Sequence, residues 1–274
     1  MLSIGIRVNT NIHCLKSRFG FNLESGEAYR IVKDVNNQKF LNLAGIHYHL
    51  GSNIPDPNYY HQASTITCQW ISSLKEPSIK YLDFGGGFPV STNSKYQNSF
   101  KFHTIHDYIQ AIVKPIKKFK LNHLQLILEP GRYLVDESTI FISQALHTRY
   151  HKNKALITIN ASKNIMPLTQ SCDQKILIIP WSGKVQPLNT KHQAIIYGHS
   201  CMESDWLAKK ADLTNKVHPK NMVIFYTAGA YNITQSNQFS FPRPAIILLE
   251  KNKTRLIRKA ENFHTLISKD YCNI

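Results

Sequence analysis

The hydrophobic rhythm of the first half of this 274-residue chain is the feature that most restricts its fold. Three apolar runs of strand length are separated by two stretches with helical spacing. The strand-like runs lie at 41–50, 79–84 and 124–128, and the helix-like stretches at 59–74 and 105–118. This β-α-β-α-β order predicts a parallel sheet with helical crossovers, as in α/β folds.

The rhythm changes near residue 138. Six short strand-like runs, "TIFISQAL", "ALITI", "KILIIP", "QAIIYG", "MVIFYT" and "PAIILL", then follow, separated by turn residues. Such a series is typical of a mostly β domain. The sequence therefore predicts two domains, 1–137 and 138–274.

Composition predicts a globular, cytoplasmic protein. Apolar residues make up 42% of the chain and charged residues 18%, which suits a packed core. The five cysteines include no C-x-x-C pair, and their odd number argues against a disulfide framework. The N-terminus lacks the pattern of a signal peptide, and "AIILL" is too short to span a bilayer, so no membrane association is expected.

The net charge of +16 raises the question of nucleic-acid binding. The lysines and arginines are spread along the chain, and the one dense cluster, 113–120, keeps apolar residues at helical spacing. Its lysines are therefore expected on a solvated helix face, and no nucleic-acid partner is expected.

Three motifs stand where the predicted parallel strands end: "HYHLGS" (47–52), "GGGF" (85–88) and "EPGR" (129–132). In parallel α/β barrels the working groups collect at the carboxyl ends of the strands. His47 and His49 are two apart and face the same way, which could form a metal pair or two ordinary, partly buried imidazoles. A metal site would need further ligands from later strands.

The glycines Gly85, Gly86 and Gly87 allow three interpretations: a tight turn, a slot for close packing, or a nest of amides that meets a phosphate. Glu129 follows an apolar run, so its carboxylate needs a partner such as a protonated heterocyclic nitrogen. Gly131 and Arg132 could offer N–H donors to an anion. A surface ion pair between Glu129 and Arg132 is the alternative.

Five motifs occur in the order used by one family: "GIHYHLGS", "YLDFGGGFP", "LEPGRYLV", "GHSCMESD" and "GAYNITQSNQFSFPRP". In these motifs the chain resembles the fold type III decarboxylases that use pyridoxal phosphate, the group of diaminopimelate and ornithine decarboxylases. The resemblance covers essentially the whole chain. It implies the C-terminal half of an alanine-racemase-like (β/α)8 barrel followed by a mostly β domain, with pyridoxal phosphate as cofactor and an amino acid as substrate.

The resemblance also implies roles for individual residues. His49 would stack on the pyridine ring, and Glu129 would bind its nitrogen and keep it protonated. The phosphate would be held by Ser52, the loop Gly85–Gly86–Gly87, Gly131, Arg132 and Tyr231. Cys201 would reach into the site of the second subunit of a homodimer and protonate the carbanion. The substrate would contact Arg132, Glu203, Asp205 and Tyr231.

Two departures from the family pattern matter. No segment resembles the family's early barrel strand that carries the cofactor-binding lysine, so the first half of the barrel is expected to be missing. Such a half barrel would leave open sheet edges and an exposed apolar interior, which a further chain would have to complete. Where relatives carry an acidic residue after the cysteine, this chain has Met202, which favours neither standard substrate.

Divergent members of the family that act on amino-acid adducts in siderophore or polyamine pathways match this sequence better than the enzymes for the two standard substrates.

Three alternatives to a decarboxylase stay open. The chain could be a non-catalytic remnant or regulatory partner, because it lacks the lysine. It could be a metal-dependent hydrolase that uses His47 and His49. A racemase is also conceivable, because the barrel is shared.

Overall fold

Two compact units make up the protein. The computed structural model describes residues 1–12, 17–90, 103–172, 174–184 and 186–268. The division falls between Val135 and Asp136, which gives an N-terminal unit, Met1–Val135, and a C-terminal unit, Asp136–Ile274. Each unit has a hydrophobic core of its own.

The N-terminal unit is built on a parallel sheet of five strands in the order β2-β1-β3-β4-β5. The strands are β1 (Leu2–Asn9), β2 (Phe21–Asn22), β3 (Leu41–Tyr48), β4 (Tyr81–Asp83) and β5 (Gln125–Ile127). The helices are α1 (Glu27–Asn36), α2 (Pro57–Leu74), α3 (Ile105–Lys118) and the short α4 (Gly131–Val135). The predicted parallel sheet with helical crossovers is confirmed.

Local signals explain where the two long helices begin. The Asp56 side chain accepts a hydrogen bond from the Asn58 N–H at 2.8 Å, and Pro57 occupies the first turn of α2. At the start of α3, Thr104 and Asp107 form a reciprocal capping box. The lysines of α3 lie on its exposed side, as the sequence predicts.

The two faces of the sheet differ in chemistry. Alternate residues such as Ile6, Ile46 and Leu82 are buried in the core that includes the helices. The opposite face carries Arg7 and His47, which pair in register across β1 and β3. The prediction of an exposed apolar interior is therefore wrong where Arg7 and His47 lie, because both side chains are polar.

Further toward the amino ends of the strands, the same face holds one ring over two glycines. Gly5 pairs with Gly45, and Gly45 pairs with Tyr81, on three adjacent strands. A Cβ on Gly45 would overlap the Tyr81 ring, and a Cβ on Gly5 would overlap its hydroxyl. The tyrosine fits only because both positions lack a side chain.

The C-terminal unit contains a sheet of six strands in the order β10-β9-β7-β6-β11-β8, antiparallel except where β7 meets β9. They are β6 (Phe141–His151), β7 (Lys154–Ile159), β8 (Ile176–Ile179), β9 (Pro187–Tyr197), β10 (Trp206–Asn215) and β11 (Met222–Phe225). The remaining elements are α5 (Asn232–Gln235), the hairpin β12 (Ile246–Glu250) and β13 (Lys253–Arg258), and α6 (Phe263–Ile267). The predicted mostly β character is confirmed.

Cys68 and Cys201 are free thiols. Cys68 is buried in the N-terminal unit, and burial raises the pKa of its thiol to about 11. Cys201 is exposed in the C-terminal unit. Cys14 and Cys272 lie outside the described residues. None of the helices in the described ranges combines the length and apolar character needed to cross a bilayer.

Candidate functional site

The carboxyl ends of β3, β4 and β5 lie side by side and carry the predicted residues of the N-terminal unit. His49 follows β3, the glycine loop Gly85–Gly87 follows β4, and Glu129 follows β5. Parallel pairing of these three strands brings the three motifs to one edge of the sheet. This edge is the candidate functional site.

Close packing accounts for all three glycines of the loop. A Cβ on Gly85 would approach His49 Nδ1 to 2.6 Å, in a backbone conformation with φ of +59°. A Cβ on Gly86 would overlap the carbonyl oxygen of Glu129, and one on Gly87 would overlap that of Gly51. The slot for close packing is thus an observed property of the loop.

Two of the loop amides already have partners within the protein. The N–H of Gly85 donates to Asp83 Oδ1 at 2.8 Å, and that of Gly86 donates to His49 Nδ1 at 3.3 Å. Across the edge, the Gly131 N–H donates to the Glu129 carbonyl at 2.8 Å. In this state these three amides are therefore not directed at an anion, contrary to the simplest form of the phosphate-nest hypothesis.

A buried tyrosine supports the glycine loop from beneath. Tyr60 of α2 is fully buried, and its hydroxyl donates to the Gly86 carbonyl at 2.9 Å. Its ring stacks on Phe88 with a centroid separation of 5.2 Å and meets Tyr108 edge-on at 5.5 Å. Tyr108 in turn donates to the Pro55 carbonyl at 2.7 Å.

His49 is held as a neutral ring with a defined tautomer. Because Nδ1 accepts the Gly86 N–H, the proton of the neutral imidazole lies on Nε2. Burial lowers the pKa of His49, and the nearby Arg7 and His47 lower it further. A neutral ring of fixed orientation is suited to stack on an aromatic ligand.

His47 and Glu129 face each other across the same edge. His47 Nε2 lies 3.6 Å from Glu129 Oε2, and the Glu129 side chain is 55% exposed. The ligand atoms of His47, His49 and Glu129 all lie within 4.8 Å of one another. The structure thus brings Glu129, the one glutamate at the later strand ends, next to the predicted histidine pair as a third potential metal ligand.

The remaining predicted residues of the N-terminal unit lie in the segments that follow β3 and β5. Ser52 is exposed in the loop after β3. Gly131 begins α4, and Arg132 follows it with a partly exposed side chain. Because α4 begins at Gly131, the Arg132 guanidinium is close in sequence to the Glu129 carboxylate.

In the C-terminal unit, Asp205 organises the segment that carries the predicted cysteine. Asp205 is 1% exposed, and its carboxylate accepts hydrogen bonds from the Lys163 N–H at 2.8 Å and the Ser200 N–H at 3.0 Å. It also accepts a hydrogen bond from the Ser200 hydroxyl, with 2.5 Å between the two oxygens. Cys201 and Glu203 are exposed on the same segment. Asp205 therefore acts on the shape of the segment, and the expected contact with substrate has no support in its geometry.

Tyr231 stands in a strained backbone conformation. Its φ of +61° lies in the left-handed region, which non-glycine residues rarely adopt. The preceding amide, that of Ala230, donates to Oδ1 of the fully buried Asp136 at 3.0 Å. This bond fixes the turn, and the Tyr231 side chain is 45% exposed.

The sequence reasoning missed the supporting residues Tyr60, Asp83 and Asp136. Asp83 had a detectable signal, since an acidic residue two positions before glycine often accepts its amide. Tyr60 and Asp136 had none, because their partners lie 26 and 94 residues away.

Comparisons with known proteins identify the relatives of this chain. Residues 2–136 match the family described as "Pyridoxal-dependent decarboxylase, pyridoxal binding domain". The chain is 28% identical to the diaminopimelate decarboxylase of Campylobacter jejuni over 280 residues, which cover 97% of this chain and 66% of that protein. It is 27% identical to the enzyme of the same name from Methanocaldococcus jannaschii, with 98% and 63% covered.

Solved structures of enzymes with the same name superpose on this chain. The diaminopimelate decarboxylase of M. jannaschii superposes with a TM-score of 0.82 at 27% identity, over 98% of this chain and 64% of that one. The Helicobacter pylori enzyme complexed with L-lysine superposes with a TM-score of 0.79 at 26% identity, with 97% and 66% covered. The chain spans just under two thirds of the length of these relatives.

Together these matches show that the chain is similar to pyridoxal-dependent decarboxylases, and they indicate pyridoxal phosphate as its cofactor. The groups at the sheet edge suit that cofactor: a half-exposed carboxylate, a neutral imidazole and a glycine loop with no side chains in the way. A group for covalent attachment is not among them. No lysine stands at the carboxyl end of any described strand of the parallel sheet.

Proposed function

We propose that the chain forms part of a pyridoxal-phosphate-dependent amino-acid decarboxylase, because its motifs and its matches resemble the fold type III decarboxylases. Domain 1–137 binds the cofactor and domain 138–274 supplies groups of the substrate site. The single observation that carries the proposal is the convergence of His49, the glycine loop and Glu129 at one sheet edge. A metal-dependent hydrolase does not call for a glycine loop at that place, whereas a non-catalytic remnant or a racemase would share the loop.

Each residue of the edge has a task in this proposal. His49 stacks on the pyridine ring, and Glu129 holds the proton on the ring nitrogen. Ser52, Gly87, Arg132 and Tyr231 bind the phosphate. The bound cofactor supplies an electron sink, which accepts the electron pair left when the substrate's carboxylate departs as carbon dioxide.

Cys201 delivers the proton that replaces the carboxylate at the α-carbon. Its exposure in the structure suits a residue that reaches another subunit of a homodimer. Asp205 keeps the segment of Cys201 in shape through its buried hydrogen bonds. Glu203, exposed on that segment, is the acidic residue offered to a substrate.

The lysine for covalent attachment of the cofactor comes from polypeptide outside these 274 residues. The support for this step is the lack of a lysine at the described strand ends and the partial span of the relatives. The substrate is an amino acid or an amino-acid adduct, in siderophore or polyamine synthesis. Met202 supports a substrate other than that of the named relatives, because it offers no charge to a distal ammonium group.

Borohydride labelling tests this function. The chain is incubated with pyridoxal phosphate, with and without a co-expressed upstream polypeptide, then reduced and mapped by mass spectrometry. Stoichiometric label on one upstream lysine, with carbon dioxide released from an amino-acid panel, supports the decarboxylase. Without specific label in either sample, the non-catalytic alternative, a remnant or regulatory partner, is the better interpretation.

Glu129→Ala tests the role of the carboxylate in the active assembly. The change is expected to slow decarboxylation far more than it weakens cofactor binding, since the ring proton matters most when charge develops. Equal losses in rate and binding would contradict that role.

A metal-dependent hydrolase is the second candidate, favoured by the cluster of His47, His49 and Glu129. Zinc hydrolases use this ligand set with an open fourth position. The distinguishing measurement is elemental analysis of the purified chain. Stoichiometric zinc that is lost in His49→Gln would favour the hydrolase over the decarboxylase.

A further inference from the structure

We propose that His47 is a positioning residue for Glu129: its Nε2–H donates to the Glu129 carboxylate and fixes which oxygen faces the pyridine nitrogen of the cofactor. The inference rests on the proposed function, because it concerns the same site. Neither the family match nor the relatives' names assign a role to His47.

His47 Nε2 is a buried nitrogen in need of a partner. The atom is shielded from solvent and has no hydrogen-bond partner among the described residues. Buried polar atoms of this kind are nearly always paired in folded proteins. Glu129 Oε2 stands 3.6 Å away, a few tenths of an ångström beyond hydrogen-bond range.

The neighbours of His47 leave Glu129 as its acceptor. Arg7, in register on β1, is a donor only. Asp83, in register on β4, accepts the Gly85 N–H through Oδ1, and unlike Glu129 it forms no pair with a His47 ring nitrogen within 4.0 Å. The nearby His49 receives the Gly86 N–H on Nδ1 and carries its own proton on Nε2. A carboxylate can only accept, so the proton of the pair belongs to His47 Nε2.

The backbone of Glu129 is fixed, so only its side-chain torsions have to move. Its N–H donates to the Gly85 carbonyl at 2.7 Å, and its own carbonyl accepts the Gly131 N–H at 2.8 Å. That carbonyl also packs against Gly86. Small rotations of the side chain bring Oε2 onto His47 and leave Oε1 for the ring nitrogen.

Pyridoxine 5′-phosphate labelled with ¹⁵N in the ring is the probe. It keeps the ring nitrogen and the phosphate but has no aldehyde, so it cannot condense with surface lysines. Titration of the 274-residue chain gives the dissociation constant, and the ¹⁵N shift followed against pH gives the pH at which the bound ring loses its proton.

His47→Phe keeps a flat ring but has no donor, His47→Gln can restore an N–H near the position of Nε2, and His61→Phe is the remote control. For His47→Phe we expect the probe to bind about fivefold to tenfold more weakly. The bound pyridine ring should lose its proton at a pH lower by roughly 0.5–1 unit. His47→Gln should recover both values, and His61→Phe should match the wild type.

Two results would overturn the inference, and they differ. If Glu129→Gln lowers the deprotonation pH while His47→Phe leaves it unchanged, the positioning role is wrong and the cofactor site stands. If the wild-type chain binds the probe neither alone nor with the co-expressed upstream polypeptide, the proposed function fails and this inference fails with it.

Discussion

Tyr60→Phe removes a single hydroxyl from beneath the glycine loop. The phenylalanine ring can keep the contacts with Phe88 and Tyr108, because these involve only the ring. What is lost is the 2.9 Å hydrogen bond to the Gly86 carbonyl. The substitution therefore isolates one buried bond without opening a large cavity.

The magnitude follows from the surroundings of that bond. A neutral hydrogen bond contributes about 1 kcal/mol, and leaving a buried acceptor unpaired costs about 1–3 kcal/mol. Tyr60 is fully buried, so water cannot readily replace the hydroxyl. We expect the free energy of unfolding to fall by about 1.5 kcal/mol, roughly a tenfold change in the unfolding equilibrium.

Hydrogen exchange read by mass spectrometry, with urea unfolding alongside, measures both the size and the place of the effect. Exchange should accelerate most in the peptide covering 81–90. Tyr108→Phe is the matched control, because it removes the 2.7 Å bond to Pro55 and should act on 51–56 instead. Unchanged stability and exchange in Tyr60→Phe would refute the claim that this bond supports the loop.

Three further predictions concern other parts of the site. Gly86→Ala should prevent normal folding of the N-terminal unit in circular dichroism, because the new Cβ overlaps a backbone carbonyl, whereas Gly26→Ala should cost only about 1 kcal/mol for its φ of +75°. Burial lowers the pKa of His49 in the folded state, so the unfolded chain takes up that proton at higher pH. The free energy of unfolding should fall as the pH drops below 6.5, and His49→Gln should remove part of that slope in urea titrations. Asp205→Asn should loosen its segment and speed the reaction of Cys201 with a disulfide reagent, and an equal rate in the variant would contradict the ordering role of Asp205.

Sequence patterns predicted the helices and strands whose local propensity agrees with their place in the fold. The largely apolar run of β3 and the capped, amphipathic α3 are examples. The sequence WLAKKADLTN of β10 contains many helix-favouring residues, and its strand state comes from antiparallel pairing with β9. Long-range pairing of this kind overrides local propensity. The strand β1 was also missed, although Ile4, Ile6 and Val8 alternate as strand residues do.

The order of the sequence motifs was enough to predict which residues form the candidate site. That order identified His49, the glycine loop and Glu129, which lie together at one sheet edge. The sequence could not decide why the glycines are needed, since the answer depends on carbonyls of Gly51 and Glu129 from neighbouring strand ends. It also could not show that Asp205 is buried.

The tyrosine that lies over two glycines has an evolutionary consequence. Because Tyr81 fills the space above Gly5 and Gly45, neither glycine can gain a side chain while the tyrosine remains. A smaller residue at position 81 would have to arise first, and that step alone would leave a void on the sheet. The three positions, on three separate strands, can therefore change only along a narrow mutational path, and they should vary together or not at all.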